Sequence, residues 1–253
     1  MSNHSDFQSK LKRPLEGFDR IEFDFGQALI ERSMTYLSTA ESGLWPAVVN
    51  RIIDGPGPKQ MTSPIPAADA QLFKFWRAFL EISQSYESIR DVPNYLRHSP
   101  PKRIGVQHSR YMAWHVHGYL NEIYILQLRL KSFWSLVHKT YRSSVIAQSK
   151  QTATRIDKIL KAFKSAVDAR GSHVHESRLD GTEIDRLSVI ENMSTFPWPA
   201  EVIPYFKIVR REVQKSWVVR MQENEPQIKL TLNSFFDTAH PILFTQDGRW
   251  VDP

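Results

Sequence analysis

The sequence predicts an all-α protein, a helical bundle of about five main helices. Two observations carry this: apolar residues recur at spacings of three and four through every long segment, and strand-like alternation is nearly absent. A third is punctuation, because Pro/Gly-rich stretches such as "DGPGPKQMTSPIP" and "RHSPPKRIG" separate the periodic segments. At 253 residues the chain is long enough to bury a sizeable core, as one large domain or as a core with a smaller appendage.

The first helix is expected over about Ile21 to Ala40 and the second over about Pro66 to Leu96. In the second, Leu72, Phe75, Trp76, Phe79, Ile82, Tyr86 and Ile89 form one apolar face, and Pro64 and Pro66 mark its start, where proline suits the first turn. A long helix follows from about Gln107 to Tyr141. Its stripe of Met112, Val116, Tyr119, Ile123, Leu126, Leu130, Phe133, Val137 and Tyr141 is widened by Ile125, Leu128 and Leu136, which puts it at the centre of the bundle. A fourth helix is expected over about Ala147 to Arg170, with Ile156, Ile159, Leu160, Phe163, Ala166 and Val167 facing inward. The fifth begins near Trp198 and ends at about Glu223, limited by Pro226, and "NSFFDTAHPILF" adds a last short element.

Composition removes several function classes. With no cysteine there is no disulfide, no thiolate metal site and no cysteine nucleophile. The polar start lacks the apolar run of a signal peptide, and no segment is a charge-free stretch long enough to span a bilayer, so a cytoplasmic protein without a membrane partner is expected. The formal charge is +6, and its distribution is uneven. From Arg129 to Lys164 a run of cations that includes Lys131, Arg155, Lys158 and Lys161 is opposed only by Asp157, whereas Glu176 to Glu201 is predominantly acidic. A basic surface of this kind concentrates polyanions, nucleic acid first among them. A merely solvated helix face is the plainer alternative.

The tripeptide "HVH" occurs twice. His115 and His117 lie within the long helix, where residues two apart diverge by about 200°, so they cannot ligate one metal together. His173 and His175 follow Gly171 and Ser172, which interrupt the fourth helix. A metal held by His173, His175 and Glu176 would there be conformationally feasible, but no second ligand cluster accompanies them, and zinc wants at least three protein ligands. No metal and no cofactor are expected. Arg170 is the more informative residue: extending the inward stripe through Phe163 and Val167 brings it onto the apolar face. A guanidinium there must be paired, for example with Glu176 or Asp180, or must face an interface or cleft.

Arg170, the four residues "GSHV" and His175 resemble the Arg-x4–6-His motif of HEPN domains, the α-helical bundles of RNA-cleaving toxins, abortive-infection proteins and RNA-guided nucleases. The order of a long helix, a second helix ending in the arginine and an acidic continuation matches as well, over roughly Gln107 to Met221. The resemblance implies a HEPN-like core at residues 101–253 preceded by an N-terminal helical extension, residues 1–100. It implies a metal-independent endoribonuclease of a toxin or antiphage-defence system, acting as a homodimer and accompanied by an antitoxin or defence-system partner protein. Arg170 would hold the scissile phosphate, and His175, or His173 one turn from the arginine, would be the general acid–base. Arg129, Lys131, Arg155, Lys158, Lys161, Lys164 and Arg178 would contact the RNA backbone. Gly171 departs from the polar residue, often Asn, that usually follows the arginine. A second reading is therefore a non-catalytic HEPN-like helical module that binds RNA or a partner protein.

Overall fold

The computed structural model describes residues 17–38, 67–98, 106–163, 183–193 and 203–253. The fold is all-α. The helices are α1 (Gly17–Ser38), α2 (Ala67–Arg97), α3 (His108–Thr140), α4 (Val145–Gln148), α5 (Lys150–Lys161), α6 (Glu183–Met193) and α7 (Ile203–Leu243). Among the described residues the nearest thing to a sheet is one antiparallel bridge between Phe244 and Trp250. None of these helices is long and apolar enough to cross a membrane.

Three expectations about elements are corrected. Pro226 does not end the last helix, because α7 continues through it to Leu243 and absorbs the segment read as a separate short element. An interior proline costs about 3 kcal/mol locally, but the turns around it are pinned: Met221 and Ile228 are buried, and Glu225 accepts a hydrogen bond from the Tyr86 hydroxyl. The fourth helix is not one continuous element: among the described residues it is two pieces, with serines capping both starts. Ser144 accepts from the Ala147 amide at 3.2 Å, and Ser149 Oγ accepts from the Gln151 amide at 3.2 Å. The acidic stretch after Asp180 contains a helix of its own, α6, whose Ile184 and Leu187 are buried.

The described chain forms two compact units. The first draws on Met1–Leu80, Phe133–Ile156 and Leu232–Pro253, the second on Glu81–Ser132 and Asp157–Thr231. The first unit has an aromatic core. Phe25 is fully buried, with Trp76, Phe79, Phe244 and Trp250 at centroid distances of 5.9, 5.5, 5.0 and 5.9 Å. The start of α1 is capped by side chains of α7: Gly17 N–H donates to Asp237 Oδ1 at 2.7 Å and Phe18 N–H to Asn233 Oδ1 at 3.0 Å. These satisfy amides that have no intrahelical acceptor. Further along the same two helices, His240 Nε2 and Asp24 Oδ2 lie 2.7 Å apart, both buried. The tail then turns at Gly248, whose φ is +84°, and returns Trp250 to the core, where the Tyr141 hydroxyl donates to the Val251 carbonyl at 2.6 Å.

In the second unit, Ile82 and Ile89 of α2 and Met112, Val116, Ile123, Leu126 and Leu130 of α3 are buried along the predicted stripes, whereas Leu128, expected to widen the stripe of α3, is exposed. Glu191 of α6 caps α3, accepting from the amides of His108 and Ser109 at 2.9 Å each and from Ser109 Oγ.

The docking of α1 makes Gly17 a sharp test. Its φ is +71°, and a Cβ there would lie 2.4 Å from Asn233 Oδ1, whereas a Cβ on Gly26 would meet nothing within 4 Å. Gly17→Ala should therefore destabilise by more than about 1 kcal/mol, and Gly26→Ala, in a helix interior, should stabilise by about 0.5–1 kcal/mol. Urea denaturation midpoints of the two variants should move in opposite directions.

Candidate nucleic-acid interface

Helix α5 is strongly two-faced. Ile156 and Leu160 are buried and Ile159 half-buried, while Arg155, Asp157, Lys158 and Lys161 are exposed. The helix closes at Lys161, because the amides of Ala162 and Phe163 turn back to the carbonyls of Ile159 and Leu160, three residues earlier. Gln127 Nε2 takes the Leu160 carbonyl as well, at 2.9 Å, and fixes the end of α5 to α3. The phase that carried Arg170 onto the apolar stripe was counted along one continuous helix. With closure at Lys161 that inward position no longer follows from the count.

The predicted backbone-contacting residues fall into four groups. Arg155, Lys158 and Lys161 stand on the exposed face of α5, with Lys161 paired to Asp157 at 2.8 Å across one turn. Both partners are more than half exposed, so this pair does little to hold either group back from another anion. Lys131 is exposed and reaches Gln127 Oε1 at 3.5 Å, so one glutamine touches both Lys131 and the last turn of α5. Arg129 is different: its guanidinium donates to the Glu81 carbonyl and to Ser85 Oγ, which ties α3 to α2. Lys164, Arg170, His173, His175 and Arg178, and with them the Arg-x4-His motif, lie outside the described residues. Among the described residues, no group of three or more His, Asp or Glu is arranged to hold a metal.

His115 and His117 lie on the continuous helix α3, as the periodicity requires, and both are half-buried. His115 sits among aromatic rings. It stacks on Tyr95 at 5.8 Å, meets Tyr111 edge-on at 4.4 Å and lies 4.9 Å from Trp114. Burial holds its pKa below the ordinary value. Tyr95 and Trp114 are 52% and 71% exposed, so the cluster opens to solvent. Sequence reasoning missed it. The signal available was "RYMAWH", with Tyr111 and Trp114 three apart and therefore neighbours on one helix surface.

Beside the start of α3 lies a cleft of about 280 Å³ lined by Leu187, Ile190, Glu191, Ile203, Phe206, Lys207 and Arg210. His108 is buried nearby, and both its ring nitrogens lack a hydrogen-bond partner among the described residues. Burial holds its pKa below the usual range and the Arg210 charge adds to that, against a smaller opposing effect of Glu191.

No protein-family model, curated protein or solved structure matches the chain.

The two depressed histidines set the sign of a pH effect. A group whose pKa falls on folding contributes stability that is complete above its unfolded pKa of about 6.5 and is lost as pH drops through the folded value. Stability should therefore decline on acidification from neutrality, and His108→Phe should flatten that decline, since it removes a buried imidazole that must gain a proton on unfolding. Urea midpoints measured between about pH 5 and pH 8 check this. Parallel profiles for wild type and variant would rule His108 out as a source of the slope.

Proposed function

We propose that the chain is a HEPN-like RNA-binding protein in which the Arg170-x4-His175 motif cleaves RNA without metal, by attack of the 2′-hydroxyl on the adjacent phosphate. The observation that supports this best is the exposed face of α5. Arg155, Lys158 and Lys161 project there against the single acid Asp157, on the helix that precedes the motif in sequence. Such cations give sequence-tolerant contacts to the phosphate backbone. Lys131, and further along Lys164 and Arg178, extend the same role.

In this reading Arg170 binds the phosphate and stabilises the charge that accumulates on its oxygens, for which a planar fork of donors is suited. His175, or His173 in its place, takes the proton from the 2′-oxygen and returns one to the departing 5′-oxygen. One chain holds one Arg–His pair, and a complete cleft takes two, so the active species is a homodimer, held in check in the cell by an antitoxin or defence-system partner.

A second reading has an observation in its favour. Closure of α5 at Lys161 removes the count that put Arg170 on the core face, and Gly171 replaces the polar residue usual in active relatives of the motif. The chain is then a non-catalytic HEPN-like module that binds RNA or a partner protein.

Incubation of the purified protein with single-stranded RNA in EDTA separates the two. The ribonuclease reading expects products ending in a 2′,3′-cyclic phosphate, a loss of roughly 10²-fold or more for His175→Ala with RNA affinity nearly unchanged, and loss of both cleavage and affinity for Arg170→Ala. Lys158→Ala should weaken binding alone and lower its dependence on salt. Intact RNA alongside undiminished binding would leave only the module.

A further inference from the structure

From the aromatic cluster on α2 and α3 we infer that Trp114, beside the stacked His115 and Tyr95 rings, is a stacking platform for an unpaired base of single-stranded RNA, and that Arg110 takes an adjoining phosphate. The inference deepens the RNA reading and rests on it for the identity of the polymer, but it does not rest on cleavage.

Isolated exposed apolar residues are ordinary on protein surfaces. What distinguishes Trp114 is that its ring adjoins a cluster of others, the nearest of them, His115, inclined to it by 60°. The His115 ring, 4.9 Å from the indole, is itself stacked on Tyr95 with an interplanar angle of 22°, and Tyr111 closes the array edge-on. The array is fixed across two helices by the Tyr111 hydroxyl, which donates to the Tyr95 carbonyl at 2.9 Å. Trp114 itself is 71% exposed at the outer end. One turn further along α3, Gly118 leaves the helix surface bare, and a Cβ there would meet nothing within 4 Å. A planar ring has room to lie beside the indole over that gap.

Charge selects the occupant. No acid occurs between His108 and Leu120, and Arg110 is exposed one turn before Trp114, on the same face. On α2 the acid on the face of Tyr95 is Asp91, one turn before it, whereas Arg97, two residues past Tyr95, diverges from it by about 200° and donates to Asn94 Oδ1 at 3.3 Å. An exposed ring beside an arginine, on a face of α3 without acids, matches a base with its phosphate, and every base offers a π-face, so the site is tolerant of sequence. A duplex keeps its base faces stacked inside and offers no such surface.

The test uses the full chain and a fluorescently labelled single-stranded RNA of roughly twelve nucleotides, carrying 2′-O-methyl groups that block 2′-hydroxyl attack. Fluorescence anisotropy gives the affinity. Trp114→Ala should weaken binding roughly 5- to 150-fold, Trp114→Phe should retain most of the affinity, and an abasic strand should bind wild type about as weakly as the normal strand binds Trp114→Ala. Circular dichroism of each variant should match wild type. If wild type binds the strand and Trp114→Ala binds it equally well, the platform is overturned and the RNA reading stands. If wild type binds no single strand at all, the RNA reading falls and the platform with it. A change in self-association by light scattering in place of a change in RNA affinity would make this face a contact between copies and would also overturn the inference.

Discussion

The position of α3 depends on one carboxylate. A helix start leaves amides without acceptors, and a Ser, Thr, Asp or Asn just before it ordinarily supplies one. Here Val106 and Gln107 precede α3, and neither is of that kind. Glu191, some eighty residues later on α6, fills the vacancy with both carboxylate oxygens, and its charge also faces the positive end of the helix dipole. Everything the second unit presents along α3 is registered from that point: the ring cluster in the first two turns, Gln127 with its hold on α5, and Lys131 one turn beyond.

The first unit solves the same problem at α1 by a similar device, with Asn233 and Asp237 of α7 as acceptors. It adds a buried histidine–aspartate contact and a dense set of phenylalanine and tryptophan rings. Both units thus rely on long-range capping, in which a helix is oriented by polar atoms from another helix while apolar stripes supply most of the stabilisation.

This explains what the sequence could and could not disclose. Stripe periodicity is local, so α1, α2 and α3 were legible to within a few residues, and with them the all-α class and most of the core. Pro226 misled because its local cost is real but smaller than the burial of Met221 and Ile228 on either side. Ser149 was equally uninformative in sequence, since a serine within a periodic run reads as a helix interior until its hydroxyl is seen to cap α5. The ring cluster escaped notice for a related reason: Tyr95 and His115 are twenty residues apart and meet only because two helices are packed together. At the candidate site the exposed cations of α5 could be read from spacing. The orientation of Arg129 toward α2 could not, because its acceptors are a carbonyl and a hydroxyl on another helix. The Arg170–His175 motif itself falls outside the described residues.

The return of Trp250 into the first unit has a consequence for biosynthesis. That unit combines residues from three separated stretches, and its core is not complete until Trp250 has left the ribosome, whereas every residue of the second unit precedes Leu232. Contacts so distant in sequence form late and slowly. During translation, Phe25, Phe75 and Phe79 must therefore wait without their final partners, and a nascent chain arrested short of the tail would expose the aromatic surface that chaperones bind.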